Sequence, residues 1–176
     1  MELLIPAGIE VTVEVAKIAV KGPKGQVTRE FPKYITIKKT DRKLEITTND
    51  KTASTRALAG AFAAHVKNMF AGVQTPFVYK LKVASIHFPI TVVIQNNEVV
   101  VQNFLGEKRP RKAKIPAGAT VKVQDDIITV ESSDIELAGM VATRIEQATR
   151  VSARDRRTFL DGIYVIEKNG QAVTAE

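Results

Sequence analysis

Apolar and polar residues alternate in four pairs of short segments along the chain. In the first pair, Val11 and Val13 precede Ile18 and Val20 across a polar link, and the other pairs repeat this pattern. Each pair begins with a bulky apolar residue and a proline, in IPAG at 5–8 and 115–118 and in FP at 31–32 and 88–89. Period-two alternation on both sides of a polar link predicts a β-hairpin with one buried face, so we predict four hairpins.

Two longer segments, 52–73 and 133–151, carry apolar residues at helical spacing instead. In the first, Leu58, Phe62, Val66 and Met69 would share one face, which predicts an amphipathic helix. Both segments contain the tripeptide LAG. Because an interior glycine costs a helix about 1 kcal/mol relative to alanine, we expect a close helix–sheet contact at both glycines.

A short apolar strand follows each predicted helix, at 77–84 and at 162–168. The order hairpin, hairpin, helix, strand therefore occurs twice. We predict an α+β fold of two tandem, internally duplicated domains, residues 1–84 and 85–176, each an antiparallel sheet packed on one helix. The two IPAG copies start different hairpins of this repeat, so they are not each other's counterparts.

The composition of the chain excludes several classes of function. The 176 residues contain no cysteine, which excludes a disulfide framework, thiol catalysis and cysteine-ligated zinc. No stretch of about 18 apolar residues occurs, and we expect no signal peptide, no membrane partner and a cytoplasmic location. The net charge of +7 favours an anionic partner such as nucleic acid. Residues 1–84 carry all of this excess positive charge. Residues 85–176 have no net charge, but their basic and acidic residues are grouped into separate clusters.

The sequence offers few candidate catalytic residues. The only histidines are His65 and His87, and no nucleophile, metal-ligand or phosphate-loop motif accompanies them. Asp125 and Asp126 lie at a predicted hairpin tip and are interpreted as a turn. We therefore predict a protein that is not an enzyme and that has no cofactor, no metal and no small-molecule substrate. The GPKG segment at 22–25 is either a plain turn or a loop whose Lys21 and Lys24 contact phosphate.

Basic residues cluster twice in the second half. The first cluster lies in GEKRPRKAK, between two hairpins, and we predict a loop there whose candidate phosphate-binding residues are Lys108, Arg109, Arg111, Lys112 and Lys114. The second follows the second helix, where arginine forks and hydroxyls suit phosphate oxygens, and its candidates are Arg150, Ser152, Arg154, Arg156, Arg157 and Thr158. Solvated loops are the alternative for both. Phe159 either anchors the second cluster in the core or stacks on a base.

The stretch QATRVSARDRRTFLDGIYVIEK, residues 147–168, resembles the C-terminal signature of the L6 family of large-subunit ribosomal proteins in its archaeal and eukaryotic form. The segment IPAGIEVTVE…VKGPKG, residues 5–25, resembles the start of that family. The resemblance implies a two-domain protein of the large ribosomal subunit that binds 23S-type rRNA mainly through its C-terminal domain. It also implies a position near the sarcin–ricin loop and the stalk base, with neighbouring ribosomal proteins and translational GTPases close by.

We therefore expect a structural rRNA-binding protein, with residues 85–176 folding alone and retaining most of the binding. A free-standing RNA-binding chaperone that uses the same basic loops is the alternative. It predicts similar affinity for unrelated nucleic acids, whereas the ribosomal interpretation predicts a preference for one folded rRNA region. An enzyme with an unrecognised site would need convergent titratable groups, and the sequence supplies almost none.

Overall fold

The computed structural model describes residues 1–40, 42–48, 52–152, 154–155 and 157–173. The chain divides into two compact units, Met1–Pro76 and Phe77–Glu176. Each unit has its own hydrophobic core. The α+β class predicted from the sequence is confirmed.

The described part of the first unit contains six strands and one helix. They are β1 (Glu2–Leu4), β2 (Glu10–Val13), β3 (Lys17–Gly22), β4 (Gly25–Glu30), β5 (Ile35–Thr40), β6 (Lys43–Thr48) and α1 (Ala53–Gln74). The strands form two antiparallel sheets, β1-β6-β5 and β2-β3-β4. Alternate residues such as Ile18, Val20, Leu44 and Ile46 point into the core, as period-two patterning requires.

Helix α1 closes the core of the first unit. Its N-cap is Thr52, whose hydroxyl accepts a hydrogen bond from the Thr55 backbone N–H at 3.3 Å and so satisfies one free donor of the first turn. Phe62, Val66 and Met69 are buried as predicted, but Leu58 is 41% exposed and Ala59 is buried in its place. The predicted apolar face is therefore wrong by one residue at its first position.

The described part of the second unit contains eight strands and one α-helix. They are β7 (Phe77–Ala84), β8 (Thr91–Gln95), β9 (Glu98–Gln102), β10 (Arg111–Lys114), β11 (Ala119–Gln124), β12 (Ile127–Ser132), α2 (Ile135–Ala148), β13 (Gly162–Lys168) and β14 (Gln171–Ala172), with a 3-10 turn at Phe104–Gly106. The sheets are β10-β9-β8 and β11-β12-β7-β13-β14, both antiparallel. Asp134 caps the N-terminus of α2 by accepting the Glu136 N–H at 2.9 Å.

Strand β7 corrects the predicted organisation. The sequence pattern assigned residues 77–84 to the first half as its closing strand, and that assignment is wrong. Within the second unit, β7 lies between β12 and β13 and pairs with both, with Leu81 opposite Ile128 on one side and Val165 on the other. The division between the units therefore falls after Pro76 rather than at residue 84.

The four predicted hairpins all form, as β2/β3, β5/β6, β8/β9 and β11/β12. Gly8 and Gly118, at the ends of the two IPAG segments, have φ values of +81° and +94°, a region that side chains disfavour. The patterns did not reveal β1, β4, β10 or β14, which are short or rich in polar residues. Asp125 and Asp126 form the predicted turn between β11 and β12.

The two units share one order of elements. Each begins with a strand, β1 or β7, continues through a three-stranded sheet of consecutive strands, a hairpin and a helix, and pairs its first strand with the last strand of that hairpin. This shared order supports the predicted duplication. The single strand stands at the start of each repeat, whereas the sequence pattern placed it at the end. The close contact expected at the LAG glycines is not found, because a Cβ added at Gly139 would lie 3.6 Å from the Tyr79 hydroxyl, an ordinary contact distance, and Gly60 faces open space.

Within the part of the chain that the structure describes, neither helix is long and apolar enough to cross a membrane.

Candidate nucleic-acid interface

The first basic cluster is divided between a turn and a strand. Lys108 and Arg109 are exposed in the segment after the 3-10 turn. The next residues form β10, an edge strand, so the prediction of a loop over the whole cluster is wrong. Lys112 and Lys114 project to the exposed face of β10, while Ala113 between them is buried in the core.

The two lysines of β10 are held in parallel, because residues two apart on a strand share one pleated face. The Nζ of Lys112 lies 3.6 Å from the Glu98 carboxylate of the neighbouring strand β9. Both side chains remain in contact with solvent, so this ion pair is weak and leaves Lys112 able to approach another anion.

The Arg111 side chain is less exposed than those of Lys112 and Lys114 and is bonded within the protein. Its guanidinium donates to the Glu107 carboxylate, with Nε 2.8 Å from Oε2, and Nη1 donates to the carbonyls of Ala148 and Arg150 at 3.0 and 3.1 Å. It also lies 4.3 Å from the centre of the Phe104 ring. Arg111 thus supplies donors to the last carbonyl of α2 and to one just beyond the helix, where a helix end leaves acceptors free and a cation is favoured.

The second basic cluster begins where α2 ends. The helix ends at Ala148, three residues before the predicted end near Val151. Arg156, predicted to contact phosphate, lies outside the described residues. Asp155 orders the tip of this segment, because its carboxylate accepts the Arg157 N–H at 2.9 Å and its carbonyl accepts two further backbone N–H groups. The other predicted members of the cluster are all exposed, and they are Arg150, Ser152, Arg154, Arg157 and Thr158.

Phe159 anchors the second cluster. Its half-buried ring packs against the core of the second unit and lies 5.1 Å from the His87 ring. The Arg154 guanidinium stands over the ring of Phe159, 4.9 Å from its centre. Of the two sequence interpretations, anchoring is therefore the one that the geometry supports, and Arg154 is oriented by the same ring.

Two observations bring the clusters together. Arg111 of the first cluster is hydrogen-bonded to the Arg150 carbonyl of the second. In addition, the Arg111 hydrogen bond lowers the pKa of the Glu107 carboxyl, and the positive charge of Arg154 contributes to the same shift. Nothing in the sequence signalled the Arg111 contacts that join the two clusters. We call the exposed set the basic surface, and its members are Lys108, Arg109, Lys112, Lys114, Arg150, Ser152, Arg154, Arg157 and Thr158.

A buried carboxylate fixes the backbone next to the basic surface. Asp161 is 1% exposed and accepts hydrogen bonds from the backbone N–H groups of Ile86 and His87 at 2.7 and 2.9 Å. Its second oxygen lies 2.6 Å from Nδ1 of the His87 ring. Gly162 is the first residue of β13, and Asp161 ties that strand to the segment after β7.

In the first unit, the GPKG segment is the tight connection between β3 and β4. A Cβ on Gly22 would come within 2.7 Å of the Val73 side chain, so only glycine lets this turn rest on the last turn of α1. Lys24 donates its backbone N–H to the Val73 carbonyl at 3.0 Å. The Lys21 and Lys24 side chains are exposed, and their contact with phosphate stays a prediction.

Over the described ranges, no group of three or more acidic, histidine or cysteine side chains is arranged to hold a metal ion.

Comparison with known proteins gives a consistent result. The model of the family described as ribosomal protein L6 matches residues 5–75 and 88–162. The large ribosomal subunit protein uL6 of Desulfurococcus amylolyticus is 45% identical over 173 residues, covering 96% of this chain and 94% of that protein. The protein of the same name from Sulfurisphaera tokodaii is 43% identical over 169 residues, covering 95% of this chain and 91% of its own length.

Proposed function

The chain belongs to the ribosomal protein L6 family, in its archaeal form, and is a structural constituent of the ribosome without enzymatic activity; we propose that its second unit binds large-subunit rRNA through the basic surface. The observation that carries the proposal is the joining of the two basic clusters by Arg111. Exposed lysines and arginines on adjoining segments of one folded unit are suited to a folded RNA backbone.

The roles of the basic residues follow from how each is held. Lys112 and Lys114 project from a strand, and Arg154 is steered by Phe159, so these three present their charge in a defined direction. Arg111 is the member of the predicted set least suited to contact phosphate, because every nitrogen of its guanidinium donates within the protein. The remaining cations are exposed and have more freedom to follow the RNA backbone, and they are Lys108, Arg109, Arg150 and Arg157.

The finer placement is part of the proposal. The family resemblance supports a position near the sarcin–ricin loop and the stalk base, where neighbouring ribosomal proteins and translational GTPases would lie close to the second unit. Lys21 and Lys24 on the turn between β3 and β4 would provide a secondary RNA contact. The specificity of such an interface comes from the shape of the folded RNA more than from its base sequence.

The proposal is tested by the salt dependence of binding to deproteinised large-subunit rRNA. Replacing Arg154 and Arg157 together by alanine should weaken binding and reduce the slope of log affinity against log salt concentration by about one unit per lost phosphate contact. The matched control is Lys122→Ala with Lys168→Ala, which removes the same charge from β11 and from the far end of β13. An unchanged slope in the arginine variant would contradict the proposal.

Small-subunit rRNA serves as the competitor in the same titrations. A structural protein of the large subunit should prefer the large-subunit rRNA, whereas equal affinity for both would favour the free-standing chaperone that the sequence left open.

A further inference from the structure

A cavity of about 260 Å³ opens at the border of the basic surface, between the last turn of α2 and the start of β13. This volume lies just below the range of sites that hold a whole drug-sized ligand, so it suits a single planar ring system. No role is assigned to this cavity by the phosphate contacts proposed above. Its lining residues are Glu146, Gln147, Thr149, Arg150, Val151, Ile163 and Tyr164.

The inner part of the cavity is apolar and its aromatic wall is held in place. Val151 and Ile163 are buried and form part of the lining. Tyr164 is 43% exposed, while its hydroxyl donates to the Leu160 carbonyl at 3.1 Å. The ring also lies over Gly162, where an added Cβ would come within 3.2 Å of it. Because its hydroxyl is already bonded, Tyr164 offers the cavity chiefly an immobilised aromatic surface.

The rim of the cavity is polar and carries both signs of charge. Gln147 and Arg150 are exposed and both line the cavity, and the Arg150 backbone N–H donates to the Gln147 carbonyl at 3.1 Å just after the helix ends. Glu146 also borders the cavity, and its side chain is a carboxylate. A carboxylate disfavours a phosphate group as the occupant but accepts hydrogen bonds from amino groups, and the Gln147 amide can both donate and accept. These groups match the polar edge of a nucleobase.

We propose that this cavity binds one unstacked RNA base that carries an exocyclic amino group, with its ring against Tyr164 and its polar edge towards Glu146 and Gln147. This inference rests on the proposed function and adds a base contact to it. RNA is favoured as the occupant because Arg150 belongs both to the cavity wall and to the basic surface, so a strand whose phosphates follow that surface passes the mouth of the cavity. Proteins that recognise RNA sequence commonly take up unstacked bases, stack them on aromatic or arginine side chains and hydrogen-bond their edges.

The test uses the full-length protein and deproteinised large-subunit rRNA, with chemical probing of the Watson–Crick edges of the bases. The wild-type protein should protect one adenine, cytosine or guanine that the Tyr164→Leu variant leaves reactive. The affinity of that variant should fall roughly 5- to 150-fold, the range that corresponds to loss of one base–aromatic stack. The slope against salt should stay unchanged, because no phosphate contact is removed.

Two further variants keep the test decisive. Tyr34→Leu is the matched control, because Tyr34 is a 58% exposed tyrosine of the first unit, and it should leave the protected base unchanged. Gln147→Ala replaces an exposed helical residue with a better helix former, so it decides the question if Tyr164→Leu fails to fold. It should weaken or abolish the same protection.

Unchanged protection and affinity in both cavity variants would overturn the base site, and so would protection of a uracil alone. The first result is also the one expected if a side chain of a neighbouring protein fills the cavity. The proposed function would survive either outcome as long as the Arg154 and Arg157 replacements still lower the salt slope.

Discussion

Asp161 shows how much one buried side chain organises in the second unit. Burial by itself would raise the pKa of its carboxyl, but the hydrogen bonds from the His87 backbone, the His87 ring and the Ile86 backbone outweigh this and lower the pKa from 3.8 to about 2. The carboxylate is therefore predominantly charged in the folded protein above that pH. It connects the segment after β7 to the start of β13, next to Phe159 and the basic surface.

The state of this carboxylate predicts how the protein responds to acid. Because the folded-state pKa of Asp161 is depressed, its contribution is fully present above the unfolded value of about 4 and is lost as the pH falls towards 2. Asp161→Asn should lower the free energy of unfolding at pH 7 by about 1–3 kcal/mol, as expected for hydrogen bonds to a charged group. The difference from wild type should shrink between pH 4 and pH 2.

Urea unfolding followed by circular dichroism at several pH values measures this difference. Asp125→Asn is the control, because Asp125 lies exposed at a hairpin tip and its replacement should change stability little. A constant difference between wild type and Asp161→Asn over pH 2–7 would contradict the assigned role.

Among the secondary-structure elements, the contact between β10 and the end of α2 shapes the basic surface. Arg111 reaches from the strand to the last carbonyl of the helix and also contacts Glu107 and Phe104. A planar guanidinium can serve these partners at once, whereas a lysine ammonium lacks the fork. The contact fixes β10, with its two exposed lysines, beside the segment that carries Arg154.

We therefore predict that Arg111→Lys destabilises the protein by about 1–3 kcal/mol although it conserves the charge. Its affinity for large-subunit rRNA should fall while the salt slope stays near that of wild type, because Arg111 positions other residues. Arg109→Lys is the control in the same segment and should change neither stability nor slope. Thermal unfolding and salt titrations measure both quantities. A variant with wild-type stability would argue against the positioning role.

For the molecule as a whole, the division after Pro76 changes the charge balance. Lys80 and Lys82 belong to the second unit, which then has 14 basic and 12 acidic residues, while the first has 12 and 7. The second unit is therefore not neutral, although the first remains the more basic. The same division places the buried residues Leu81 and Val83 in the second core.

This division predicts a sharp difference between two fragments. A fragment of residues 77–176 retains β7 and should unfold cooperatively, whereas one of residues 85–176 lacks the strand between β12 and β13. Loss of β7 would leave backbone groups of β12 and β13 unpaired and would open the core, so the fragment of residues 85–176 should not fold. Circular dichroism and urea unfolding of the two fragments provide the comparison. Cooperative unfolding of both would contradict the central role of β7.

The longer fragment also tests where the RNA-binding surface lies. Residues 77–176 should retain most of the rRNA affinity in the salt titration, because the fragment contains the whole basic surface and the cavity beside it. A fragment that folds but binds no better than the Arg154 and Arg157 double variant would place the main contact in the first unit.

Much of the fold could be predicted from local patterns. The alternation around Val11, Val20 and Val130 identified hairpins, because a half-buried strand places every second side chain in the core. The sequence patterns did not predict strands β10 and β4, because their residues are mostly polar and only pairing with a neighbouring strand defines them. The exposed candidates of the two basic clusters were found from charge alone, but charge does not show which cation is used internally, as Arg111 is.

Residue types and their spacing were enough to establish the local elements, the α+β class, the basic character and the family signature at 147–168, because all of these are properties of short segments. The assignment of β7 to the second unit required the folded chain, since strand pairing over long separations leaves no local period. The same holds for the positions of Arg111 and Asp161, because hydrogen bonds between distant segments depend on how the chain closes upon itself.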